Sequence, residues 1–184
     1  IHADTDSHSS VALLRLLYRI NHQRSPKLID FHARERVAEG RIANDPQAML
    51  LIGDKVVTDS PPAVMYPHQL DLGEAWKSLT GLPFVFAVWM IRDGVNPGDC
   101  PRAMRRQLET NLQPERLHRI VDRDAPRHGW PKDLARQYLG DILKYRFETP
   151  QLHAISRFAE LLIDHKLIDN PRPIELYTSL SANR

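Results

Sequence analysis

The spacing of apolar positions changes along the chain, and the change divides it. Ile1–Asp4 reads as the end of a strand and Asp4–Ser10 as a polar turn. From Val11 to Ile20, the positions Val11, Leu14 and Tyr18, with Leu13 and Leu17, share one broad helical face. Ser9 or Ser10 is the expected N-cap of that helix. Leu28–Phe31 reads as a second strand, and the chain from Phe31 to Gly40 reads alternatively as a connection holding a short helix. Asn44-Asp45-Pro46 is a turn signal. The continuous run Ala48–Ile52 suits a strand buried on both faces, stopping at Gly53-Asp54. A Pro-rich loop over 58–67 follows. Asp71 and Glu74 have capping-box spacing, so a helix is expected over Leu72–Leu79, ending near Gly81. Phe84–Met90 is aromatic and β-branched, the composition of another buried strand. Beyond Arg92 helical periods take over, at about 101–111, 114–122, 131–140 and 150–165. Strands alternating with helices up to Arg92 predict an α/β unit with a mostly parallel sheet, followed by a mainly helical part.

Composition narrows the function classes. The 184 residues carry 25 basic and 23 acidic side chains, a balance that gives no ground for a nucleic-acid or anionic-membrane partner. No apolar run approaches the roughly 20 residues that cross a bilayer. A single cysteine, Cys100, forms no internal disulfide, and a reducing cytoplasm fits it. Nine histidines lack metal-ligand spacing: His2, His8, His22 and His32 form no i, i+4 pair. No metal site is therefore expected. No Gly-rich phosphate loop or nucleophile elbow is present, and Trp76, Trp89 and Trp130 read as core or edge packing. The chain opens on Ile1 rather than Met, at a residue that reads as part of a strand, so a chain truncated at its N terminus is the expectation.

In open α/β sheets, ligands sit off the carboxyl ends of the strands. Two places qualify. The first is the turn Asp4–Ser10, where free N–H groups, the helix dipole and the hydroxyls of Ser7, Ser9 and Ser10 suit a carboxylate. The plainer reading is one serine cap and two solvated hydroxyls. The second is Gly53-Asp54: Gly53 allows a turn or a close ligand, and Asp54 can orient a hydroxyl, accept a proton, or simply bond its own loop.

Several of these stretches resemble a known family. Asp6–Arg15 is similar to a Ser-x-Thr-Ser motif leading into an aliphatic helix, with Ser9 in place of the usual Thr. Leu50-Leu51-Ile52-Gly53-Asp54 resembles the family's strand end, and Asp71–Trp89 is similar almost residue for residue to the signature of the menaquinone-pathway chorismate dehydratases. Tyr138–Phe147 and Phe158–Ile168 resemble the family's closing helices. The Pro-rich loop 58–67 and the charged stretch 93–130 match no family pattern.

The resemblance implies the two-lobed fold of type II periplasmic solute-binding proteins, with the ligand in the cleft between lobes. Residues 1–92 would be the α/β second lobe, and 93–184 a mainly helical segment returning to the first. The implied activity is that of a hydro-lyase of the futalosine route to menaquinone, removing water from chorismate to give 3-((1-carboxyvinyl)oxy)benzoate. That aromatising reaction needs no redox cofactor or metal. Ser7, Ser9, Ser10 and Gly53 would bind substrate, and Asp54 would hold the hydroxyl or carry the proton. The substrate's own carboxylate is an alternative base. Two other readings stay open: the sister 1,4-dihydroxy-6-naphthoate synthase, and a non-catalytic carboxylate-binding protein of the same fold. Nothing in the sequence fixes the oligomeric state.

Overall fold

The computed structural model describes residues 1–32, 46–169 and 176. The connection expected beyond residue 32, and Asn44 and Asp45 of the expected turn, lie outside the described residues. Within them the chain forms two compact units, Ile1–Ala87 joined by the segment from Phe147, and Val88–Arg146.

The first unit is α/β. Strand β1 (His2–Asp4) lies between β2 (Ile29–Phe31) and β3 (Met49–Leu50), and both neighbours are parallel to it. His2 aligns with Ile29 on one side and Met49 on the other. Helix α1 (His8–His22) is the crossover from β1 to β2. The order β2-β1-β3 reverses direction at β1, which makes the gap between the carboxyl ends of β1 and β3 a topological switch point. Helix α2 (Lys55–Thr58) follows β3 directly.

Helix α1 begins earlier than its apolar stripe. Its cap is Ser7, not Ser9 or Ser10, and the Ser7 hydroxyl accepts from the Ser10 N–H at 3.2 Å. The stripe marks the face that packs, whereas the cap is chosen by the first free N–H groups. Leu13 and Leu17 of that face, and Leu16, which the pattern left out, are buried against Trp76 of α3 (Leu72–Thr80) and Leu161 and Leu162 of α7 (Thr149–Asp164), whereas Val11, Leu14 and Tyr18 are only half-buried. Both ends of α3 are as expected: Asp71 accepts from the Glu74 N–H at 2.9 Å, and Gly81 closes the helix at φ +73°. That left-handed conformation strongly favours glycine.

Two strand expectations are corrected. The run Ala48–Ile52 yields only Met49–Leu50 as an edge strand, and both residues are half-buried. Phe84–Met90 is not a buried strand: it joins no ladder among the described residues, and Trp89 and Met90 are 89% and 85% exposed. A strand propensity is realised only against a partner strand. The rings at its start are held instead by aromatic packing. Phe84 meets Trp76 at 5.7 Å and Phe158 at 5.2 Å, edge to face, and Trp76 donates to the Pro83 carbonyl at 3.2 Å. Trp89 is correspondingly no packing residue.

The second unit is helical: α4 (Cys100–Asn111), α5 (Pro114–Asp124) and α6 (Lys132–Gln137), the last running into a wider π turn at Tyr138–Ile142. Its small core is Val121, Ala125 and Ala135, flanked by Leu117, Trp130 and Leu139. Trp130 packs on Tyr138 at 5.2 Å. Helix α7 returns to the first unit and packs on α1. Among the described residues no helix is long and apolar enough to cross a membrane.

Candidate functional site

Two loops meet at the switch point. One leads from β1 through Asp4-Thr5-Asp6 to the start of α1. The other leads from β3 through Gly53-Asp54 to α2. The residue that ties them together is Lys55, which sequence inspection passed over. Its ammonium donates to both oxygens of Asp4, at 2.8 and 2.7 Å, and to Asp6 at 2.5 Å. Lys55 is 7% exposed and Asp4 1%, whereas the Asp6 side chain is 66% exposed. Burial pulls the Lys55 ammonium down, but the hydrogen bonds and charges of Asp4 and Asp6 outweigh it and hold the group above the ordinary lysine range. Lys55 is therefore a cation at any physiological pH. Asp4 also accepts from the Asp6 N–H at 3.1 Å, which folds the turn back on its own carboxylate.

Beyond this pair lie the three serines. The Ser7 hydroxyl is 3.2 Å from that of Ser9 and donates to that of Ser10 at 3.1 Å. All three are half-buried. Because Ser7 is both cap and donor to Ser10, the Ser10 proton is left to point away from Ser7. A carboxylate at this helix start would meet a hydroxyl proton and N–H groups at the positive end of a dipole.

The structure thus brings Ser7, Ser9 and Ser10 together as expected, though with Ser7 rather than Ser9 or Ser10 as the cap. Gly53 adopts φ +64°, and a side chain there would meet nothing within 4 Å. The positive φ uses its lack of a side chain for the turn, and among the described residues no other part of the chain packs against it. Asp54 stands at the start of α2, half-buried, and makes no side-chain cap bond; its carbonyl accepts from Val57 and Thr58 at 2.8 Å. Among the described residues no three His, Cys, Asp or Glu side chains converge as a metal site.

Comparison with known proteins bears on what such a site serves. The family profile described as menaquinone biosynthesis matches residues 1–164. The chain belongs to this menaquinone-biosynthesis family. One relative is the chorismate dehydratase of Thermus thermophilus, 32% identical over 173 residues, which cover 86% of this chain and 60% of that protein. The chain thus spans less than two thirds of that relative's length. The family match takes in the serine turn, Gly53-Asp54, Lys55 and the aromatic cluster around Trp76, as well as α4–α6 of the second unit.

One signal in the sequence bears on Lys55, and it becomes decisive only once β1 and β3 are known to be neighbours. Asp4 and Asp6 lie just past one strand end, and Lys55 lies just past another. Opposite charges at the carboxyl ends of parallel strands meet when those strands are neighbours.

Proposed function

We propose that the protein acts in menaquinone biosynthesis as a chorismate dehydratase, forming 3-((1-carboxyvinyl)oxy)benzoate and water. The observation that carries this reading is the similarity over 173 residues to a chorismate dehydratase. The serine-lined start of α1 at the switch point supports it, because the substrate is a dicarboxylate. In this reading one carboxylate lies on the Ser7, Ser9 and Ser10 turn, at the exposed N–H groups of α1. The ring loses a proton from one carbon and hydroxide from the neighbouring one, and the two leave as water. Asp54 holds the departing hydroxyl or receives the proton, with the substrate's second carboxylate as the other base within reach. Aromatisation supplies the driving force, so positioning is the protein's main contribution. The reaction consumes and produces no electrons.

The same reading places the protein in the cytoplasm and gives it a two-lobed, solute-binding-protein-like architecture. Residues 1 to about 92 would form the second lobe and the later helices would return toward the first, α7 excepted, since it packs on α1.

The test uses the full-length gene product with chorismate, followed by mass spectrometry. A product lighter by one water, formed only with enzyme, is expected. Ser10→Ala should then raise KM more than it lowers kcat. A folded protein that leaves chorismate unchanged would turn attention to the sister naphthoate synthase or to simple ligand binding.

A further inference from the structure

We propose that Lys55 is a positioning residue for the anion site: it neutralises Asp4 and holds Asp6 so that a substrate carboxylate can approach the serine turn of α1. This rests on the reading that the serine turn receives that carboxylate.

The geometry excludes a direct role. An ammonium has three protons, and those of Lys55 are matched by Asp4 Oδ1 at 2.8 Å, Asp4 Oδ2 at 2.7 Å and Asp6 Oδ2 at 2.5 Å. None remains for a ligand. The same bonds link the two loops of the switch point across 51 residues of sequence, from Asp4 to Lys55. The link continues along the chain. Asp4 receives the Asp6 N–H at 3.1 Å, and Ser7, the next residue, caps α1 through the Ser10 N–H at 3.2 Å. The charges of Asp4, Asp6 and Lys55 therefore sit directly beside the serines that α1 presents.

Charge gives the second part of the argument. Asp4 and Asp6 are three residues and one residue before Ser7, so two carboxylates sit in the turn that would receive an anion. With Lys55 the group carries one net negative charge, and without it two. Two unpaired carboxylates would repel an incoming carboxylate over the few ångströms of a partly desolvated turn. The position of Lys55 thus sets how readily the positive end of α1 can be used.

The charge argument makes a prediction that a purely structural role does not. Asp6 is mostly exposed, so Asp6→Asn should fold like the wild type. Removing its charge should make the turn more receptive to an anion. In the full-length protein at low salt, the KM for chorismate should fall by about threefold, and the advantage should shrink as salt is added. Lys55→Met should raise KM by about tenfold or more. If Lys55→Met does not fold, Lys55→Met with Asp4→Asn restores the original net charge without a buried unpaired carboxylate, and should return KM toward the wild-type value.

A KM for Asp6→Asn that is unchanged or raised at low salt overturns the proposal. So does a folded Lys55→Met, Asp4→Asn protein whose KM stays tenfold high. Absence of turnover by the wild type is a different result: it removes the chorismate reading, and this inference with it. Turnover by the wild type with a flat Asp6→Asn response removes this inference alone.

Discussion

The two units of the chain use ion pairs in opposite ways. In the first, one lysine and an aspartate are buried together at the ends of two strands, beside the candidate site. In the second, carboxylates and cations lie on helix surfaces: Asp122 bonds Lys132 at 2.8 Å and lies 2.9 Å from His118, and Arg123 grips Asp124 at 2.8 and 2.7 Å. The cores differ in the same sense. The first unit buries Trp76 among leucines, while the second closes over Val121, Ala125 and Ala135. Water screens the second set of pairs and hardly reaches the first. Buried charge is costly to leave unpaired, so the first unit holds its geometry only while both partners are present. The second can lose any one pair with little consequence.

Removing either side of the buried arrangement should have the largest effect. Lys55→Met leaves Asp4 buried and unpaired and should cost about 3–5 kcal/mol in a denaturant titration. A loss under about 1 kcal/mol would mean that water enters the site freely. Trp76→Ala should cost a similar amount, about 3–5 kcal/mol, by opening the space between Phe84 and Phe158. A thermal melt that barely moves would show the aromatic cluster to be dispensable.

A smaller loss is expected from the cap. Ser7→Ala removes the acceptor for the Ser10 N–H and should lower stability by about 1 kcal/mol. Ser9→Ala, which removes no cap, should not lower it to that extent. Equal losses for the two would contradict the assignment of Ser7 as cap.

The pH dependence should separate the units. Lys55 is raised above its ordinary 10.5, so its stabilisation is complete below that pH and is lost as pH rises through the higher folded value. The bond from Lys132 holds Asp122 below its ordinary 3.8, and the bond from Arg123 does the same for Asp124. Their contribution is present above 3.8 and disappears as pH falls through the lowered values. Asp122 is exposed and Asp124 half-buried at the surface of α5, so Asp122→Asn and Asp124→Asn should leave the neutral-pH melt within experimental error. A clear drop would mean that the second unit depends on its surface pairs after all.

Much of this was legible from residue pattern. The Asp71 cap and the Gly81 stop rest on local rules and lie where those rules put them, and the helical period of α1 gave Leu13 and Leu17 of its buried face but not Leu16. The serine turn was legible for the same reason. Phe84–Met90 was not, because side-chain composition records fitness for a sheet but not whether a neighbouring strand exists. Lys55 was missed for a related reason. Beside Gly53-Asp54 it looks like any solvated lysine, and only the pairing of β1 with β3 brings it to Asp4 and Asp6. Long-range partners are decided by topology, which no local pattern states.

Turnover of chorismate itself tests the proposed chemistry most directly. Full-length protein incubated with chorismate should yield, in proportion to enzyme, a product one water lighter with the ultraviolet spectrum of a substituted benzoate. Chorismate recovered intact from a folded protein, alongside a positive reaction by the Thermus thermophilus relative under the same conditions, would contradict it.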